Sequence, residues 1–387
     1  MFITMVSHRN GVDLRYSKDV AVSFAESELQ NEHADTNAEV RINVNCNNSR
    51  VQWLDLLKAF AIFLVTLGHV LGGLGYCRCF VRNVIYSFHM PLFFAISGYI
   101  VVYAHVMKGG EVTMGIGEAC RFMCRKFHTL IFPYVLCPLL LYPIFYWRIG
   151  DPNYFQRVMK SIFVTNTAAW FLPCLFLLMS AFSAIAVVRR QFTKCPLWVF
   201  IVAMQGIVIG LHWLTGNPFL RSVESYFLPF AIGMLVARHE KVVSRKWVWI
   251  PFVVVWIVAS MVFARFTNSD DSQLILLSKV ARLVAGIASI PPLFALFSVA
   301  VRFKGTVGRS ASYVGKCTLV IYLFQDFPIS YASIGRILGT NCPDSLLLAL
   351  CLAISCVVVM QGVCIDWVMR KSRILSFLFL GRKWTEK

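Results

Sequence analysis

A lysine and a histidine share one face of the first apolar stretch of the chain. Lys58 and His69 are eleven residues apart, which on an α-helix is three turns plus about 20° and a rise of about 16.5 Å. An ionisable group at mid-bilayer costs about 2.5 to 3.5 kcal/mol on insertion scales, so both residues are functional candidates. Alternatively, Lys58 reaches the inner headgroups or pairs with Asp55, and His69 is a hydrogen-bonded packing residue.

A second histidine, His89, lies near the start of the next apolar stretch. The connection between the two stretches is short, so we expect neighbouring antiparallel helices with His69 and His89 at a similar depth near the outer face. Two imidazoles there indicate acid–base or nucleophilic chemistry, because a neutral imidazole can accept a proton from a hydroxyl group. Pro91 lacks a backbone donor and is expected to disturb the second helix beside them.

Other polar residues are expected in the same outer half of the bundle. Singly, each could be an interface residue, but together they predict a polar cavity open to the outside. The candidates for binding a substrate there are Glu224, Arg282, Gln325 and Asp326.

On the inner side, basic residues lead into the third apolar stretch, ahead of Pro133 and Tyr134. They are Arg121, Arg125 and Lys126. The tendency of cytoplasmic loops to be basic explains such a cluster by itself. Arg and Lys also bind phosphates, so the cluster could hold a cytosolic anionic cofactor.

Membrane helices must position these residues. Of the 387 residues, 58% are hydrophobic and 14% charged, whereas soluble domains carry about 25% charged residues. A bilayer span needs about 20 mostly apolar residues, and a spanning helix hydrogen-bonds its own backbone. We therefore predict an all-α integral membrane bundle of about ten transmembrane helices. The expected spans are 51–73, 83–105, 127–147, 170–188, 196–214, 222–237, 247–264, 274–300, 311–334 and 345–369.

The basic residues also predict an orientation and an organisation. Most Lys and Arg fall in loops on the side of the N-terminus, so both termini are expected in the cytoplasm of a bacterial plasma membrane. Residues 1–49 are polar and lack the apolar core of a signal peptide, and we interpret them as a disordered cytoplasmic tail. The transmembrane domain is expected over 50–372 and a basic cytoplasmic tail over 373–387.

Composition argues against two other classes of function. The net charge of +18 could suggest nucleic acid, but the basic residues are scattered between apolar stretches and form no face interleaved with aromatic rings. Most of the 13 cysteines lie in apolar stretches, where free Cys behaves as a small hydrophobic residue. We therefore expect no nucleic-acid partner and no metal.

At these residues the chain resembles the membrane acyltransferase-3 family, in particular its fucose O-acetylase-like branch. The family's opening pattern of a basic residue, Asp, a basic residue, ten residues and His is met by Arg50, Asp55, Lys58 and His69. Its Phe-His-Met-Pro-Leu-Phe-Phe…Ser-Gly-Tyr block is met by residues 88–99, and its basic lead into Pro-Tyr by residues 125–134. Many relatives have His where this chain has Gln325, which cannot exchange a proton near neutral pH, so the resemblance carries no catalytic role onto Gln325.

The resemblance implies transfer of an acetyl group from cytosolic acetyl-CoA to an exported or lipid-linked cell-surface sugar or polysaccharide precursor. The inner basic residues, with Tyr134, would then bind acetyl-CoA, and the outer cavity would receive the sugar. Lys58 would fix the donor arm, and His69 would act as general base or carry the acetyl group. His89 would orient the reacting groups or stabilise the oxyanion.

The main alternative is a transporter or flippase for a sugar or lipid, with the polar residues lining a path. Ten spans and charges near the midplane are compatible with it. The sequence has no inverted repeat and no paired broken helices of the kind that many transporters show, and the Lys–x10–His spacing has no meaning there. A structural scaffold explains neither the two histidines nor Lys58.

Overall fold

The computed structural model describes residues 52–76, 78–106, 111–147, 153–163, 169–239, 245–300, 306–325 and 344–381. Every regular element within these ranges is a helix. The segment Trp53–Lys387 forms one compact unit. The predicted tail over 1–49 and the candidate Asp326 lie outside the described residues.

The described part of the chain forms fifteen α-helices and one π-helical turn. In order they are α1 Gln52–Gly73, α2 Phe80–Val106, α3 Ile116–Lys126, a π-helical turn Phe127–Ile131, α4 Phe132–Trp147, α5 Tyr154–Phe163, α6 Phe171–Arg189, α7 Leu197–Thr215, α8 Pro218–Arg238, α9 Lys246–Phe266, α10 Ser272–Ala288, α11 Ile290–Ala300, α12 Thr306–Lys316, α13 Thr318–Phe324, α14 Asp344–Lys371 and α15 Arg373–Leu380.

Within the described ranges, eight helical segments are long and apolar enough to cross a bilayer. They coincide with eight of the predicted spans, and α10 with α11 together make one of them, Ser272–Val299. The predicted all-α membrane fold is confirmed. The third predicted span is the π turn followed by α4, and the ninth begins as α12 and α13, which are interrupted at Cys317.

Burial separates central helices from peripheral ones. In α1 and α2, 72% of the apolar window is buried by other parts of the protein, against 17% in α7 and 22% in α9. Residues buried among helices can carry chemistry, whereas those of α7 and α9 mostly face lipid. The two helices that carry Lys58, His69 and His89 are therefore the core of the bundle.

Glycines let α2 approach its neighbours closely. A Cβ at Gly98 would overlap the carbonyl oxygen of Phe230 in α8, and a Cβ at Gly233 would overlap that of Ala95. Such small-residue contacts bring membrane helices into backbone contact. On another face, a Cβ at Gly286 of α10 would lie 2.7 Å from Cγ of Pro91, so α10 fits against the position where α2 lacks a backbone donor.

The segment after α14, predicted as the start of a basic tail, begins with a helix. α15 packs against α4, and its Ser376 and Phe379 are buried. Ser376 donates a hydrogen bond to the carbonyl of Met369 at 2.8 Å, which folds α15 back onto the end of α14. Residues 382–387 lie outside the described part.

Candidate active site

A cavity of about 190 Å³ lies in the centre of the bundle, between α1, α2, the π turn, α6 and α13. On α1 its walls are Lys58, Ile62 and Val65. These positions are one helical turn apart, so they share a face, and the next position on that face is His69. The face predicted to join Lys58 and His69 is thus the face that lines the cavity.

The remaining walls are mostly apolar. In the part of the chain that the structure describes, Lys58 is the one charged side chain that lines the cavity, and the other polar groups are hydroxyls. From α2, the π turn, α6 and α13 the lining residues are Met90, Phe93, Ile96, Ser97, Ile100, Thr129, Leu130, Phe171, Leu172, Leu175, Thr318, Leu319 and Tyr322.

Lys58 is held by an ion pair at the inner end of α1. Its Nζ lies 2.5 Å from Oδ1 of Asp55, and the lysine side chain is 22% exposed. Asp55 is buried, and its Oδ2 accepts a hydrogen bond from Ser312 of α12 at 3.5 Å. A Cβ at Gly315 would overlap the carbonyl oxygen of Asp55, so α12 fits directly against the carboxylate that fixes the lysine.

His69 and His89 lie on the neighbouring helices α1 and α2. His89 is buried, His69 is half-buried, and the two rings are close enough to act on each other electrostatically. Nδ1 of His89 lies 2.7 Å from the carbonyl oxygen of Ile85. A carbonyl only accepts, so Nδ1 carries the proton and Nε2 of the neutral ring is an acceptor. A neutral His89 in this tautomer has no N–H to offer an oxyanion, which argues against the stabilising role predicted for it.

Tyr86 is a site residue that sequence reasoning missed. Its ring centroid lies 4.8 Å from that of His89, and the guanidinium carbon of Arg82 lies 4.0 Å above the Tyr86 ring. Both side chains of α2 lie across glycines of α1: a Cβ at Gly68 would be 2.6 Å from Tyr86 Cε2, and a Cβ at Gly72 would be 3.2 Å from Arg82 Nε. The sequence did contain a signal for this contact: Gly68 and Gly72 are four residues apart on α1, a spacing that indicates close approach of another membrane helix.

The outer candidates divide into two groups. Arg282 is exposed on α10, is close enough to His89 to act on it electrostatically, and donates a hydrogen bond to the Tyr226 hydroxyl at 3.5 Å. Glu224 belongs to a separate pair, since its Oε2 lies 2.5 Å from Nδ1 of His212. The structure thus places Arg282 within electrostatic range of His89 and gives Glu224 another partner.

Gln325 lies at the end of α13, next to the segment that holds Asp326. Its side chain is buried, with 4% of the residue exposed. It is absent from the cavity lining, whereas Tyr322 on the preceding turn is present.

Aromatic rings connect the outer end with the cavity. Tyr226, which contacts Arg282, stacks on Phe94 at 4.6 Å and lies 5.5 Å from Trp170. Phe171 is 4.8 Å from Phe94 and also lines the cavity. We name these four residues, Phe94, Trp170, Phe171 and Tyr226, the aromatic wall.

The inner basic residues lie on the helix that leads to the cavity. Arg121 and Arg125 are exposed on α3, and Lys126 is half-buried with its Nζ 5.4 Å from the ring of Phe122. Burial, together with the neighbouring charge of Arg125, lowers the pKa of Lys126. Directly after α3, Thr129 lines the cavity and donates a hydrogen bond to the Arg125 carbonyl at 3.0 Å.

Tyr134 has a different environment from the one predicted. It is buried, its hydroxyl donates a hydrogen bond to the carbonyl of Ile162 at 2.6 Å, and it is absent from the cavity lining. This bond joins α4 to α5, which indicates a packing role. Among the described residues, no group of three or more His, Cys, Asp or Glu could hold a metal ion.

A family model described as an acyltransferase domain matches residues 51–364. The nodulation protein NolL of Mesorhizobium japonicum is 24% identical over 304 residues, which cover 72% of this chain and 76% of that protein. The matched residues include the cavity, both histidines and the inner basic residues.

Proposed function

We propose a reaction for this chain on the premise that it belongs to the acyltransferase-3 family, whose domain it carries over residues 51–364. It is a multi-pass membrane acyltransferase, which decides against the transporter alternative. The reaction is the transfer of an acetyl group from cytosolic acetyl-CoA to a hydroxyl of an exported or lipid-linked cell-surface sugar. The observation that carries it is the cavity, which begins at Lys58 and ends one helical turn below His69.

The donor is proposed to enter from the side of α3. Acetyl-CoA carries phosphates, and the exposed guanidinium groups of Arg121 and Arg125 suit them. Lys126 and Thr129 follow on the same continuous helix, and Thr129 lines the cavity. A phosphate bound at Arg125 would therefore direct the pantetheine arm past Lys58 towards the histidines.

The acceptor is proposed to enter from the opposite end. Arg282 and the outer part of the aromatic wall offer a guanidinium and ring faces there, close to His89. Such a combination of flat apolar faces and a few polar groups is usual in binding sites for small molecules. Gln325 and Asp326 remain proposals for this side, and Glu224 would contribute through its pair with His212.

In the chemical step, the acceptor hydroxyl attacks the thioester carbonyl. His69 takes the hydroxyl proton, a carbon–oxygen bond forms, and the carbon–sulfur bond breaks. The leaving thiolate then takes the proton from His69, so the enzyme is restored. The acceptor Nε2 of His89 is suited to hold an N–H of His69, which would leave the second nitrogen of His69 as the base.

The orientation that this route needs places α3 in the cytosol of a bacterial plasma membrane, with both termini on the same side. Cys120 and Cys124 are exposed on α3. We expect a maleimide that cannot cross membranes to label them in inside-out vesicles and to leave them unlabelled in right-side-out vesicles. The reverse pattern would place the donor on the wrong side and refute the route.

Transfer of radiolabelled acetyl from acetyl-CoA to surface saccharide, in membranes that contain the protein, tests the function. We expect His69→Ala to abolish transfer, although the amount of this variant protein in the membrane should equal that of the wild type. His239→Ala is the matched control, since His239 is exposed at the end of α8. Retention of more than about a tenth of the rate by His69→Ala would remove the base assignment, because a general base contributes about 10²-fold or more. Unconsumed label in wild-type membranes would refute the function.

A further inference from the structure

The size of the cavity limits what it can hold. A cavity of about 150 Å³ lined by Leu, Ile and Phe accommodates one benzene ring. At about 190 Å³, this cavity has room for slightly more, about seven or eight non-hydrogen atoms on that scale. An acetyl thioester with the cysteamine end of its arm has about seven, so its size matches the volume of the cavity.

The charge of the cavity limits it further. Lys58 is the one charged side chain among the described residues that line the cavity, and Asp55 already neutralises it at 2.5 Å. A carboxylate on the acyl group would therefore enter an apolar space without a free cation. Burying such a group is strongly unfavourable unless it is paired and hydrogen-bonded.

We infer that this cavity is the seat of the donor's acyl thioester and that Ile62 and Val65 restrict the acyl group to acetyl. This inference rests on the proposed function and adds to it the residues that select the acyl group. Both side chains line the cavity on α1 and are almost fully buried, with 1% and 2% exposed. Val65 lies one turn from His69, so its two methyl groups occupy the space beside the reacting carbonyl.

The experiment compares acetyl-, butyryl- and succinyl-CoA as donors. Butyryl has two more carbons than acetyl, and Val65→Ala removes two carbons from the cavity wall. One methylene in an apolar pocket changes selectivity by about 10- to 200-fold. We therefore expect the wild type to prefer acetyl over butyryl by at least about 10²-fold, and Val65→Ala to reduce that ratio below about 10-fold. Ile62→Ala is a second enlarged variant.

Two controls separate size from charge and from general effects. Val254→Ala is the same substitution on α9 at a position that is 61% exposed, and it should keep the wild-type ratio. Succinyl-CoA should be a poor donor for the wild type and for Val65→Ala, because enlargement supplies no cation.

Each outcome decides the inference. Use of butyryl-CoA by the wild type within about 3-fold of acetyl-CoA would overturn it, as would efficient use of succinyl-CoA. It would also be overturned if both enlarged variants kept acetyl transfer without gaining butyryl transfer. If the enlarged variants lose all activity, the inference is decided by the wild-type rates with butyryl-CoA and succinyl-CoA relative to the rate with acetyl-CoA. If the wild type uses none of the three donors, the proposed function fails and the inference fails with it.

Discussion

Replacing Gly68 by Ala should disable the histidine pair without unfolding the protein. The added Cβ would lie 2.6 Å from Cε2 of Tyr86, whereas two carbon atoms in contact are normally about 3.5 to 4.0 Å apart. The Tyr86 ring must therefore move by about 1 Å, and it lies 4.8 Å from the ring of His89. A misplacement of about 1 Å can cost about 10²-fold in rate, or about 2.7 kcal/mol.

The assay is kcat/KM for acetyl transfer in detergent or nanodiscs, together with thermal unfolding. Gly210→Ala is the matched control, since a Cβ at Gly210 of α7 meets no atom within 4 Å. A double variant gives the decisive comparison: in a Tyr86→Ala background, Gly68→Ala should have almost no further effect, because the atom it displaces is gone. Wild-type activity in Gly68→Ala, or full additivity with Tyr86→Ala, would refute the reasoning.

Three other perturbations have defined outcomes. Asp55→Asn removes the charge that holds Lys58 at 2.5 Å. We expect KM for acetyl-CoA to rise about 10-fold, equivalent to about 1.4 kcal/mol, with a smaller change in kcat. A change confined to the acceptor KM would contradict the role of Lys58 in fixing the donor arm. Burial lowers the pKa of Lys126, so its charge is lost at a lower pH than that of an ordinary lysine. KM for acetyl-CoA should therefore rise with increasing pH before an ordinary lysine would lose its charge, and Lys126→Arg, which stays charged, should flatten that rise. An unchanged profile would exclude Lys126 from phosphate binding. Tyr134→Phe removes only the hydrogen bond to Ile162 at 2.6 Å and should lower stability by about 1 kcal/mol in thermal unfolding without changing KM for acetyl-CoA, whereas a raised KM would restore Tyr134 to the donor site.

Much of the fold follows from local sequence. A bilayer leaves a chain few ways to satisfy its backbone, so apolar stretches of about 20 residues predict helices reliably. Periodicity on α1 likewise predicted that Lys58 and His69 share a face, because that relation depends on one helix only. The cavity-lining pattern of Lys58, Ile62 and Val65 follows the same periodicity.

What the sequence did not predict depends on contacts between distant helices. The ring of Tyr86 lies over Gly68, and the Tyr134 hydroxyl bonds to Ile162, because neighbouring helices happen to place those atoms together. Glu224 was expected in the outer half, yet its pairing with His212 depends on the packing of α7 on α8. The interruption at Cys317 was missed because the predicted span 311–334 included Lys316 and Thr318, on either side of it, in one continuous helix.

The π turn Phe127–Ile131 connects the basic helix to the third span. Such a turn carries one residue more than an α-helical turn. Deleting one residue there would restore an unbroken α-helix and rotate α3 by about 100° about its axis relative to α4. A deletion of one codon would therefore change the direction in which Arg125 points while the apolar span stays intact. Recognition of the donor could change in this way without any change in the membrane-spanning part of the helix.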